Sequence, residues 1–178
     1  MTAIQCLGAL LLLALVEAFV YFWNRNRQTK LQKIARELGL IYYRNDIDIL
    51  GSALGKLEMF NGDVTFSFSH LISTSKEGVD IKMFDTMPMT NNKALGPSAK
   101  PPLPVTKTIG WGNAPDLNLP KFEGIYEDTS GNHFVEAMND DFIYYKQGIR
   151  KTIPPTKTDV VHFLELGVLI YHWLKTQK

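Results

Sequence analysis

Three side chains near the C-terminus are of the kinds that bind metals or move protons. His162, Glu165 and His172 lie in a stretch with helical apolar spacing. At about 100° per residue they fall within one quadrant of a helix, with Leu169 between them. Imidazole and carboxylate are ordinary metal ligands and proton acceptors. His162 and His172 stand ten residues apart, which is about 15 Å along a helix axis, too far to share one ion unaided. A solvated stripe explains the same residues, and no metal site is expected. Asp116, Glu123, Glu127, Asp128, Glu136, Asp140 and Asp141 form a second group, offset by Lys121. Adjacent carboxylates such as Glu127 and Asp128 suit acid–base work, but charged turns on a small sheet leave the same pattern. The chain has no phosphate-binding Gly-rich loop, nucleophile elbow or His-Glu-x-x-His. No catalytic residue and no cofactor are expected.

Composition narrows the class. The 178 residues are 45% hydrophobic and 21% charged, which fits one globular domain with at most an added anchor. Nineteen basic and eighteen acidic side chains leave a net charge of +1, which argues against nucleic acid as a partner. The single cysteine, Cys6, excludes an intrachain disulfide and a cysteine-built zinc site.

From Ala3 to Trp23 the chain is apolar apart from Gln5 and Glu17. At ~1.5 Å per residue this run matches a hydrocarbon core about 30 Å thick. Tyr21, Phe22 and Trp23 place aromatic rings at one end, followed by Arg25, Arg27, Lys30, Lys33 and Arg36. Trp23, Arg25 and Arg27 read as interfacial anchors, and the basic flank puts the following domain in the cytoplasm. A cleaved signal peptide fits less well. Residues 1–5 carry no basic side chain, and the apolar run continues past Ala18. An uncleaved single-pass anchor in the inner cell membrane is the expectation. Helical spacing groups Ala14, Glu17, Ala18 and Tyr21 on one face. Ala14 and Ala18 allow close approach, so this face reads as packing on a partner membrane helix.

The elements after the anchor follow from period and punctuation. Leu31, Ile34, Ala35 and Leu38 recur with helical spacing, and Gly39-Leu40 reads as a glycine C-cap. From Leu40 the period shifts toward two. Val64–His70, Val79–Phe84, Val105–Trp111, Lys121–Tyr126, His133–Ala137 and Phe142–Tyr145 are predicted strands, with turns near Ser75–Gly78 and Asn139–Asp141. Five prolines between Met87 and Pro104 predict an exposed loop. Within it, Lys100–Pro104 resembles a polyproline-II ligand, although such runs are common in ordinary loops. Thr156 and Asp159 make a capping pair for a helix over Val160–Leu174, which reads as packing on the sheet.

Several short stretches carry a resemblance. Glu37–Leu40 is followed by Leu57–Gly62, by Ile81–Asp85, by Leu117–Gly124 and by Phe134–Gly148. This order resembles a broad family of uncharacterised prokaryotic proteins, often membrane-anchored, marked by a Phe-Asp pair, Leu-Pro-x-Phe and a late Val-Glu. Thr86–Met89 depart from the aromatic residues that usually follow the Phe-Asp pair. The resemblance implies an α+β domain and no particular activity.

The expected fold class is α+β. A transmembrane anchor (1–23) and an amphipathic connecting helix (24–39) lead into a domain over 40–178, with a small, mostly antiparallel sheet or partly open barrel and a C-terminal packing helix. A pleckstrin-like barrel is one special case. The expected function is a membrane-anchored, non-catalytic interaction module, such as an accessory subunit of a membrane complex. Its partners would be the lipid bilayer and a membrane-protein helix. The alternative is a membrane-tethered enzyme whose site is assembled from dispersed residues.

Overall fold

The computed structural model describes residues 3–44, 54, 65–89, 107–146 and 155–178. A long helix, α1 (Ala3–Leu38), precedes seven strands and a closing helix, α2 (Lys157–Lys175). The strands are β1 (Ile41–Tyr43), β2 (Thr65–Lys76), β3 (Val79–Met89), β4 (Lys107–Asn113), β5 (Leu119–Asp128), β6 (Gly131–Asn139) and β7 (Asp141–Lys146). All pairings are antiparallel, in the order β1-β2-β3-β4-β7-β6-β5. β1 and β5 are its two edges, so the sheet is open and no barrel closes. The α+β class is as expected. β1 is an addition: three residues are too few to show a period.

Turn chemistry explains the hairpins. Glu77 and Gly78 both have positive φ, 56° and 79°, and join β2 to β3 as a two-residue loop. That is the turn whose twist suits paired strands. Asn139 and Asp140 play the same part between β6 and β7, with Asn139 at φ 58°. β3 runs on through Pro88, which the sequence assigned to the loop. Beyond Thr86 its pairing is described with β2 alone, and there proline costs no ladder bond to β4. Residues 90–106, including Lys100–Pro104, lie outside the described set, as do Leu57–Gly62.

Both helices pack on one face of the sheet. On α1, Arg27, Leu31, Ile34 and Ala35 are buried and Leu38 half-buried, the i, i+4, i+7, i+8, i+11 stripe of a helix on a sheet. Gly39, at φ 67°, ends α1. The Leu40 amide donates to the Ala35 carbonyl at 2.8 Å and the Gly39 amide to Arg36 at 3.3 Å, the paired bonds of a glycine cap. α2 begins at the expected capping box: the Asp159 amide donates to Thr156 Oγ1, and the Thr156 amide donates to Asp159 Oδ2. Its buried side includes Val160, Leu164, Val168, Tyr171 and Leu174. On the far face of the sheet, Leu71, Phe84, Ile109, Trp111 and Ile143 form a second cluster with Leu54.

The connecting helix of residues 24–39 is not separate from the anchor segment; both belong to α1. Among the described residues, no helix is long and apolar enough to cross a membrane. Side chains of α1 are described for 7–8, 10–19 and 21–38. What α1 does show is exposure on every side: Leu10 64%, Leu11 59%, Leu12 67%, Leu13 58%. Four consecutive residues cover the whole circumference of a helix.

Candidate functional site

Polar groups buried in an apolar domain mark where the fold accepts a cost. The first such centre joins α1 to the sheet. Arg27 Nε donates to Asp85 Oδ2 at 2.6 Å and Nη2 to Asp85 Oδ1 at 2.8 Å. Thr108 Oγ1 donates to Asp85 Oδ1 at 2.9 Å and accepts from Arg27 Nη2 at 3.3 Å. β3 and β4 pair Asp85 with Thr108 directly, which aims both at the same helix. Only 8% of the Arg27 side chain and 3% of Asp85 are exposed. The two-pronged geometry is what guanidinium and carboxylate do best. Close by, a bulge in β2 puts His70 at φ 59°, and Tyr42 Oη lies 2.9 Å from His70 Nδ1. Burial, aided by the negative charge of Asp85, pushes the Tyr42 hydroxyl up to about 12. Burial lowers His70.

A second centre sits at the β5–β6 turn. Asp128 Oδ1 accepts from the Ser130 amide at 2.7 Å, from Ser130 Oγ at 2.7 Å and from the Gly131 amide at 3.0 Å. His133 Nε2 lies 3.0 Å from Ser130 Oγ and 3.3 Å from Asp128 Oδ1. Burial pushes Asp128 up, but the hydrogen bonds from Ser130 and the nearby His133 outweigh it and hold the carboxyl below its usual range. Burial lowers His133 more than Asp128 raises it. Serine, histidine and aspartate are thus together, but not as a nucleophilic relay. In a relay the carboxylate orients the imidazole nitrogen opposite the serine. Here Asp128 and Ser130 both meet Nε2, while Nδ1 is buried with no partner among the described residues. The serine hydroxyl is also committed to Asp128. The arrangement organises a turn.

Between these centres lies a cavity of about 170 Å³. Arg27, Thr108, Ser130, His133, Lys146, Asp159 and His162 supply its polar wall, and Met83, Val160, Phe163 and Leu166 most of its apolar one. Glycines make room for α2 beside it. Gly110 and Gly112 stand opposite Tyr144 and Phe142 across the β4–β7 ladder. A Cβ at either glycine would run into the facing ring. Tyr144 is fully buried, which raises its hydroxyl strongly, and it donates to the Phe163 carbonyl of α2 at 2.9 Å.

The residues singled out by sequence are scattered by comparison. His162, Glu165, Leu169 and His172 are all exposed on α2. His172 Nε2 meets Glu77 at 2.8 Å and His162 Nε2 lies 3.7 Å from Asp128. Among the described residues, no three metal-type side chains converge. Asp140 accepts from the Asn118 amide, and Asp141 accepts from the Asn113 side chain across the β4–β7 pair, so these acids tie connections and strands. Ala14, Glu17, Ala18 and Tyr21 are exposed along one side of α1. Trp23 is half-buried and Arg25 exposed. Arg27 is different: its charge is taken up by Asp85, not turned outward to headgroups. Sequence reasoning missed Asp85, Ser130, His133 and Lys146. The stretches of the resemblance included Asp85 and Lys146 but gave neither a role.

Comparison with protein-family models, curated proteins and solved structures finds no match.

Proposed function

We propose that this protein is a membrane-anchored, non-catalytic interaction module, held at the bilayer by the first part of α1. One observation carries the reading. Leu7, Leu10–Leu13, Leu15, Val16, Phe19 and Phe22 are each more than half exposed around a helix that runs unbroken into the packed domain. Each large apolar side chain removed from water contributes about 1.5–3 kcal/mol, and this many left in water would drive association. Lipid is the solvent that suits all sides of such a helix at once. Counted with Ala3–Cys6, Ala9 and Val20, the apolar run reaches the thickness of a bilayer core. Arg25, Lys30, Lys33 and Arg36 then favour a cytoplasmic domain at the inner membrane. The face of Ala14, Glu17, Ala18 and Tyr21 would pack on a partner helix in a larger membrane complex.

The Arg27–Asp85 pair fits this role. It ties the domain to the helix about one turn beyond Trp23, so motion of the anchor is passed to the sheet. The test is fractionation of the full chain. Retention of the parent in membranes after alkaline carbonate is expected, with release by Leu11→Arg/Leu15→Arg. Release of the parent would overturn the reading. A reporter after Lys178 active only outside the cytoplasm would overturn the orientation.

A further inference from the structure

The cavity between α1, β7 and the first turns of α2 has unused cationic donors. Two of the three guanidinium nitrogens of Arg27 are spent on Asp85 and Thr108. The third, Nη1, has no hydrogen-bond partner among the described residues. It is not sealed off either. Among the described residues, the unpartnered side-chain nitrogens without solvent access are Trp111 Nε1 and His133 Nδ1. Nη1 therefore keeps access to open space, although Arg27 is only 6% exposed and borders the cavity. Lys146 borders it too. Its ammonium donates to the Ser130 carbonyl, which leaves two further donors, and no carboxylate pairs with it among the described residues. The acid on the wall, Asp159, is engaged by Thr156 in the α2 capping box. Opposite lie Met83, Val160, Phe163 and Leu166.

We infer that this cavity is a binding site for a small carboxylate with a short apolar end. The carboxylate would accept from Arg27 Nη1 and Lys146 Nζ, a charge-assisted pair of bonds in a part-dry site. The apolar end would lie on the α2 side chains. Size sets the limit. At about 170 Å³ the space is close to that of a cavity of ~150 Å³ that holds one benzene ring. Benzoate or a short-chain fatty acid fits, and a larger ligand would enter only by its head. Such an acid could come from solution or from the adjoining bilayer. Only the second source rests on the anchor reading.

The test is titration calorimetry on the full chain in phosphatidylcholine nanodiscs, with empty nanodiscs as blank. Benzoate is expected to bind at one site per chain, and benzamide, its neutral counterpart, about tenfold more weakly or worse. Lys146→Met should lose a similar factor, while Lys175→Met, on the far end of α2, should match the parent. Absence of benzoate binding, equal binding of benzamide, or an unaffected Lys146→Met would each overturn the inference. If Lys146→Met fails to fold, the parent decides by nitrogen NMR. Benzoate must move the Arg27 guanidinium resonances, and their constancy would overturn the site. Nanodiscs doped with oleate separate the sources. Competition with benzoate supports an acid drawn from the bilayer, and unchanged affinity supports one drawn from solution.

Discussion

Replacing Asp85 with alanine should be among the most damaging single changes in this domain. The carboxylate holds Arg27 at 2.6 and 2.8 Å, with 8% and 3% of the two side chains exposed. Desolvation of the guanidinium is offset only by that partner and Thr108. Removing one member of a buried pair costs about 3–5 kcal/mol, because the survivor stays buried and charged. Against a typical stability of ~5–15 kcal/mol this is a large fraction. For a chain of this length it corresponds to roughly 6–20 °C in melting temperature. The double change Arg27→Met/Asp85→Leu removes both charges and puts apolar side chains in their place, and it should recover most of the loss. Thr108→Val should cost about 1 kcal/mol, the worth of one hydrogen bond. Urea unfolding in a mild detergent, followed by tryptophan fluorescence, measures all three. A loss below ~1 kcal/mol for Asp85→Ala would refute the argument from a stranded buried charge. So would a double variant as unstable as the single.

Gly110→Ala should destabilise by about 1–3 kcal/mol, because its Cβ meets the Tyr144 ring; in a Tyr144→Ala background the same change should cost less, a coupling that a double-mutant cycle reads. Thr156→Ala should lose about 0.5–2 kcal/mol in urea unfolding by uncapping α2. Stability should fall between pH 7.5 and 5. Burial holds His133 below its unfolded value of 6.5, so the unfolded state takes up more protons as pH drops. Asp128 has a depressed carboxyl with an unfolded value of 3.8, so its contribution is lost only at lower pH. His133→Gln should flatten the dependence between pH 7.5 and 5, leaving the part due to His70, and an unchanged slope would contradict the assignment. In the membrane, Glu17→Leu, Ala14→Leu and Ala18→Leu should weaken co-purification of a partner without releasing the protein, whereas Leu12→Ala, on the other side of α1, should not.

Local chemistry was legible in the residues themselves. Gly39 after the stripe of Leu31, Ile34, Ala35 and Leu38, Thr156 with Asp159, and the turns at Glu77-Gly78 and Asn139-Asp140 are each decided within a few residues. The sequence therefore determined both helices, six of the seven strands and two of the hairpins, but not the turn between β5 and β6. It also showed the apolar face of every side of early α1, because that needs only composition and helical period. What it could not determine was which distant residues meet. Arg27 and Asp85 are 58 positions apart; helical spacing puts Arg27, but not Arg25, in line with Leu31 and Ile34, yet nothing local says which acid would meet it. Only the tertiary structure, which sets Asp85 of β3 and Thr108 of β4 against that stripe, gives Arg27 its buried partner and leaves Arg25 exposed. Likewise the sheet order, with β4 beside β7, places Gly110 under Tyr144 and brings Lys146 to the cavity wall that Arg27 shares. Strand pairing across long separations is set by the fit of whole faces, and tertiary structure alone decided it.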